Sequence, residues 1–219
     1  MTNLVRKFAA AAALGGSLLA MSTAASAATL VFAGGTGGLT AGQTDYANFD
    51  TTFGTVAVSG SAGIYTGNIG GIAADPAFGG QLDAYFAVLG GGKATFSFAT
   101  AVSSFGFDLG SADNYNTVTV NFAGGGSQSF AGAQLNFPGP ASGNQSIVGT
   151  NGRVTIFGGA NGPISSVAFA SSGNSFEFDN IGVMGAVPEP TTWALFILGF
   201  GMIGAVMRRK SASPRFAFA

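Results

Sequence analysis

The chain of 219 residues contains no cysteine and no histidine. Without them neither a Ser-His-Asp nor a Cys-His nucleophilic arrangement can be built, ordinary zinc sites are excluded, and any metal would have to be held by oxygen. A chain that crosses an oxidising compartment without disulfides must also stand on its hydrophobic core alone. Charge is scarce too, at 8% of residues, and it is unevenly placed. Arg6 and Lys7 stand near the start and Arg208, Arg209, Lys210 and Arg215 near the end, with only Lys93 and Arg153 between. The eight acids Asp45, Asp50, Asp75, Asp83, Asp108, Asp113, Glu177 and Asp179 against those two bases leave the middle of the chain at −6. An acidic surface repels phosphate backbones, so nucleic acid is not an expected partner.

Long apolar runs occur only at the two ends. After Arg6-Lys7, an apolar stretch from Phe8 to about Met21 leads to the small residues Ala25-Ser26-Ala27. These are the three regions of a signal peptide in order, and they predict cleavage between Ala27 and Ala28. At the other end, Val187-Pro188-Glu189-Pro190-Thr191-Thr192-Trp193-Ala194 opens an uncharged run to Met207, closed by Arg208-Arg209-Lys210. The prolines push their predecessors out of the helical region, which predicts an extended, unpaired segment there. The single tryptophan sits where an interfacial anchor belongs, and the basic cluster reads as a stop that remains in the cytoplasm. Thr192 to Met207 is sixteen residues, roughly 24 Å as a helix against a hydrocarbon core of ~30 Å. A transmembrane helix is expected, marginal in length and weakened by Gly199, Gly201 and Gly204.

Pro188, Glu189, Pro190, Trp193 and Ala194, followed by the apolar run and the arginines, resemble the PEP-CTERM sorting signal in its PEP-x-x-W-A variant. The resemblance implies an exosortase substrate of a Gram-negative bacterium, exported through the inner membrane, held there by its C-terminal segment, and cut near the PEP element. It also implies a surface or matrix role beside exopolysaccharide in biofilm. The tail Ser211 to Ala219 departs from such signals, which usually stop soon after the basic cluster. The expected organisation is a signal peptide over 1–27, an ectodomain over 28–186, the sorting and anchor segment over 187–210, and a short cytoplasmic tail over 211–219.

Between the ends the pattern has a period of two. Ala94 to Phe98, Val102 to Leu109 and Tyr115 to Phe122 alternate, with Val118, Val120 and Phe122 on one face and Thr117, Thr119 and Asn121 on the other. Further strands are expected at Val154–Phe157, Ile164–Phe169 and Phe176–Val183, and shorter ones at Thr29–Phe32 and Thr55–Val58. Gly34 to Gly38 and Gly90 to Lys93 fail the phosphate-loop pattern and read as turns. Short strands, Gly-rich turns and no helix between the ends indicate an all-β fold, an antiparallel, jelly-roll-like β-sandwich flanked by the two terminal helices. Phenylalanine, of which the chain has twenty-one, is the expected core residue, its rings stacked between two sheets.

Three sets of residues are chemical candidates. Asp108, Ser111, Asp113, Asn114 and Asn116 place oxygens on one interstrand loop, and with Asp179 they suit a hard cation such as calcium. The alternative is an Asx-rich turn that satisfies its own backbone. Glu177 and Asp179 fall on one face of a strand, ~6.5 Å apart along it. Such a pair serves glycoside hydrolysis in principle, and the alternatives are a solvated strand face or structural calcium. Tyr46, Tyr65, Tyr85 and Tyr115 are candidate sugar platforms or core-edge residues. The expected function is therefore non-catalytic association with exopolysaccharide, with a glycan-binding module of defined ligand and a carboxylate glycosidase as alternatives.

Overall fold

The computed structural model describes residues 27–78, 83–137, 139–185 and 190–209. Strands dominate: β1 (Thr29–Gly34), β2 (Thr44–Ala47), β3 (Val56–Ser59), β4 (Ala62–Thr66), β5 (Ala84–Val88), β6 (Gly92–Gly110), β7 (Asn116–Phe122), β8 (Ser127–Ala131), β9 (Gly152–Phe157), β10 (Ile164–Ser171) and β11 (Phe176–Gly185). A single turn of helix, α1 (Gly132–Leu135), follows β8, and α2 (Pro190–Arg209) follows β11. Each strand pairing among the described residues is antiparallel. The all-β expectation therefore holds.

The 19-residue β6 organises the ladder. Its first half pairs with β3 on one side and β10 on the other; its second half pairs with β9 and β11. The main path runs β4-β5-β11-β6-β10-β7-β8, with β1 on β9 and β2 on β11. The sequence reads β6 as two strands because Ala99-Thr100-Ala101 breaks the apolar alternation, yet nothing there forbids an extended backbone and the chain continues through. The register between β6 and β10 shifts there, from Ile164 opposite Val102 to Ser166 opposite Ser97, so the residues between Ser97 and Val102 form the irregularity on β6. At the turn into β6, Gly91 has φ +78, a conformation in which a side chain is strained.

Phenylalanines from the two halves of the ladder meet in one core. Phe169 of β10 stacks on Phe178 of β11 with ring centroids 3.8 Å apart, and it meets Phe107 of β6 edge-on at 5.0 Å. Phe96 in the first half of β6 lies 5.9 Å from both Phe169 and Phe178. Each of these four rings is fully buried, which stabilises the fold by roughly 1.5–3 kcal/mol per side chain. On β7 the predicted alternation holds: Val118, Val120 and Phe122 are buried, and Thr117, Thr119 and Asn121 are half-buried on the other face.

The second half of β6 and its neighbours depart from that rule. Their outward face should be wet by period-two logic, but Ser104, Asp108, Arg153, Thr155, Glu177 and Asp179 are all buried. The solvated-face reading of Glu177 and Asp179 is thereby corrected. Two coils close over this face. One, between β1 and β2, donates the Gly38 N–H to Asp108 and sets Thr40 Oγ1 2.8 Å from Thr155 Oγ1. The other, between β4 and β5, donates the Ala74 N–H to Glu177. Space for the first comes from Gly106 and Gly182, cross-strand partners on β6 and β11. A Cβ on either would stand 2.9 Å from the Arg153 guanidinium.

Helix α2 begins at Pro190, a residue tolerated in a first helical turn because its missing N–H is not needed there. The extended, unpaired segment expected there is therefore corrected from Pro190 onward, where the chain is helical, and its residues before Pro190 lie outside the described residues. Leu195, Phe196, Ile197, Leu198, Phe200, Met202, Ile203 and Met207 are exposed along α2. Among the described residues no helix is long and apolar enough to cross a membrane. Three glycines and the terminal arginines dilute the apolar character of α2.

Candidate functional site

An open cleft of about 370 Å³ lies at one end of the ladder, where four loop segments converge on the start of β11. Residues 68–74 come from the β4–β5 coil, Ser111 to Tyr115 from the β6–β7 connection, and Gly143 and Gln145 from the coil before β9; Asn174, Ser175 and Glu177 complete the lining. An isolated bridge between Ile69 and Ala73 closes the first of these segments on itself, and one between Asp113 and Ser142 ties the second to the third.

Glu177 forms the floor and is 3% exposed. Its Oε1 accepts from the Ala74 N–H at 3.0 Å and from the Ser175 hydroxyl. Burial pushes its carboxyl up to about 6; the hydrogen bonds from Ser175 and Ala74 oppose that rise, and the charge of Asp113 adds to it. Tyr115 makes a wall. Its hydroxyl lies 2.7 Å from Asp113 Oδ2 and 2.8 Å from the Asn174 carbonyl, so its one proton serves either acceptor. Burial, then the bond to Asp113, holds this phenol above its ordinary range. Behind the ring, a Cβ on Gly173 would sit 3.2 Å from three ring atoms. Gly143 has φ +63, and a Cβ there would be 2.5 Å from Asp113 Oδ1. The Asp113 carboxylate thus keeps its place only beside a glycine.

A separate polar cluster is sealed beneath the β1–β2 coil. Arg153 donates to Asp108 Oδ1 at 3.1 Å, to the Asn180 carbonyl at 2.6 Å and to Gln43 Oε1 at 2.8 Å. Asp108 Oδ2 accepts from the Gly38 N–H and from Asn180 Nδ2. Burial lowers the pKa of the guanidinium, and the charge of Asp108 opposes that shift. Asp179 accepts from the Asn180 N–H at 2.7 Å and is pushed up to about 8, chiefly by burial, with Asp83, Asp108 and Asp50 adding repulsion. Charges this enclosed hold a conformation but give no access to a ligand.

The predicted residues thus fall in different places. Glu177 and Asp179 share a strand face, but only Glu177 lines the cleft. Asp113 lines the cleft with Glu177, whereas Asp108 is spent on Arg153. Among the described residues no group of three or more His, Cys, Asp or Glu could hold a metal ion, so Asp108, Asp113 and Asp179 form no calcium cluster there. Of the four tyrosines, only Tyr115 lines the cleft. Tyr46 donates to the Ser97 carbonyl, and the fully buried Tyr85 donates to the Gly67 carbonyl and stacks on Tyr65.

At the predicted cleavage point Ala27 is exposed, while Ala28 is buried and exchanges backbone hydrogen bonds with the Gln128 amide. In the sorting segment Pro190, Trp193, Ala194, Arg208 and Arg209 fall within α2. Ala25, Pro188, Glu189 and Lys210, the signal helix and the tail lie outside the described residues.

Sequence reasoning missed Ser175 and Asn174 at the cleft and Arg153 with Gln43 in the sealed cluster. Arg153 did carry a signal, as one of two bases in the middle of the chain, set within a strand. The loop residues of the cleft carried none, because coil segments far apart in the chain show no shared period.

Comparison with known protein families finds the PEP-CTERM protein-sorting motif at residues 186–210. No curated protein matches the chain. The motif marks an exported protein sorted to the cell envelope by an exosortase-type system.

Proposed function

We propose that this chain is a non-catalytic surface or matrix protein whose β-domain associates with exopolysaccharide in biofilm. The segment from Val187 to Lys210 holds the exported chain at the inner membrane until an exosortase-type enzyme cuts near the PEP element. As an anchor the uncharged run Thr192 to Met207 within α2 is short, and it relies on local bilayer thinning and on snorkelling of the arginines. The domain reads as a jelly-roll-like sandwich, with the two halves of the ladder as its layers and the phenylalanines between them.

The observation that carries this reading is the sorting motif at 186–210 directly behind a β-domain whose last strand ends at Gly185. A cut near Pro188 would release that domain with none of its strands lost. The glycosidase alternative has less support, because Glu177 and Asp179 stand in different surroundings and do not share the cleft. A glycan-binding module with a defined ligand is the second reading, favoured by the mixture of amides, hydroxyls and carboxylates around Glu177.

Intact mass of the protein from envelope and medium, in strains with and without the exosortase, tests the sorting step. The expected product spans Ala28 to near Pro188 and disappears without the enzyme; a product still ending at Ala219 in both strains overturns it. Co-fractionation of the released domain with the strain's exopolysaccharide tests the association.

A further inference from the structure

We infer that the cleft around Glu177 and Tyr115 binds one or two units of a neutral glycan. The inference rests on the exopolysaccharide reading for its setting, the outer side of the envelope, but the class of ligand follows from the lining itself.

Three properties of the cleft select that class. Its volume of about 370 Å³ falls within the roughly 300–1,000 Å³ typical of small-molecule sites. Its charge is of one sign: Asp113 and Glu177 face it, and no basic side chain is among the described residues that line it. Phosphates, sulfates and uronic acids are repelled by that pair. Its surface is mixed in polarity. Ile69 and Ile72 are 39% and 40% exposed at the rim, a footing for the C–H face of a pyranose. Gln145 is exposed and engaged by no other described residue, so its amide is free both to donate and to accept.

Hydroxyl groups are the complement of such a lining. A sugar hydroxyl donates to carboxylate oxygens and accepts from amide N–H groups at the same time, which neither a protonated amine nor a carboxylate ligand does. On Glu177 the bonds from Ala74 and Ser175 fall on the same oxygen, Oε1. On Asp113 the Tyr115 bond falls on Oδ2, which leaves the other oxygen of that carboxylate outside the bond to the wall. The positions are also fixed before any ligand arrives. Ala74 and Ser175 hold Glu177, and Tyr115 holds Asp113. Preorganisation of this kind lowers the ordering cost of binding.

The test uses the full chain in detergent and the strain's own exopolysaccharide, fragmented to oligosaccharides and separated into neutral and acidic fractions. Titration calorimetry is expected to show saturable binding of the neutral fraction and none of the acidic. Gln145→Ala, at an exposed position, should weaken binding at least tenfold while the melting temperature stays unchanged. Glu177→Gln, which keeps the shape but removes the charge, should weaken it by at least as much.

Binding of the acidic fraction alone, of neither fraction, or of the neutral fraction with equal affinity by all variants overturns the inference. Intact polysaccharide separates the two levels. If wild type and both variants co-sediment with it equally, the cleft assignment fails and the exopolysaccharide reading stands. If wild type does not co-sediment, that reading fails.

Discussion

At the scale of single residues, the buried acids set how stability depends on pH. Glu177 rises from 4.5 to about 6 on folding and Asp179 from 3.8 to about 8. In both cases the folded state holds its proton more tightly than the unfolded chain. The stabilisation is therefore complete below the unfolded values and is lost as pH rises through the folded ones. For Glu177 the shift corresponds to about 2 kcal/mol at ~1.4 kcal/mol per unit. Urea unfolding from pH 4 to pH 9 should show stability falling across this window. Glu177→Gln should remove the portion near pH 6, and Asp179→Asn the portion that continues towards pH 8. A flat profile for the wild type would contradict the burial of both groups.

Arg153 gives a second prediction at this scale. Its guanidinium is enclosed with Asp108 as its salt-bridge partner. Asp108→Asn removes that counter-charge and should destabilise by roughly 3–5 kcal/mol, the range for a buried pair broken on one side. Chemical denaturation reads this directly, and a loss below 1 kcal/mol would mean that solvent reaches the pair.

At the scale of elements, β6 ties the two halves of the ladder together, and Phe169 is the ring where they meet. It touches rings from β6 on both sides of the break in alternation and from β11. Phe169→Ala should cost about 3–5 kcal/mol, as expected for a buried aromatic truncated in a packed core. Thr119→Ala on β7 is the matched control. Among the described residues its hydroxyl bonds only to Ser129, on the outer face, so the change should stay within roughly 0.5 kcal/mol. Comparable losses at the two positions would argue that the halves do not share one core.

At the scale of the whole molecule, folding and sorting use separate parts of the chain. Every residue of the buried core among the described residues lies between Ala28 and Ile181. A chain ending at Gly185 should therefore melt within a degree or two of the uncut domain in calorimetry. A large drop would show that the sorting segment contributes to the fold, and processing would then release a weakened domain. The acidic surplus of the middle segment also belongs to this scale, since it keeps the released domain from anionic phosphate surfaces.

Much of the strand pattern and the phenylalanine core was legible in the sequence, because both depend on period-two alternation and on residue type. The sorting motif was legible for a different reason: it is a local string, read by an enzyme as a string. The continuity of β6 was not, since Ala99-Thr100-Ala101 is compatible with either a turn or an extended run, and it is the pairing of the flanking residues Ser97 and Val102 with one strand, β10, that keeps the chain extended between them. Nor was the fate of the strand acids. Period two placed Glu177, Asp179 and Asp108 opposite the phenylalanines, but whether that second face meets water depends on coils that cross it from residues 35–43 and 67–78. The sequence by itself determined the strand class, the core residues and the sorting address, all set by short-range patterns. Only the tertiary structure decided which carboxylate faces a cleft and which is sealed against Arg153, because those contacts join residues about forty-five to a hundred and ten positions apart, and no local pattern encodes them.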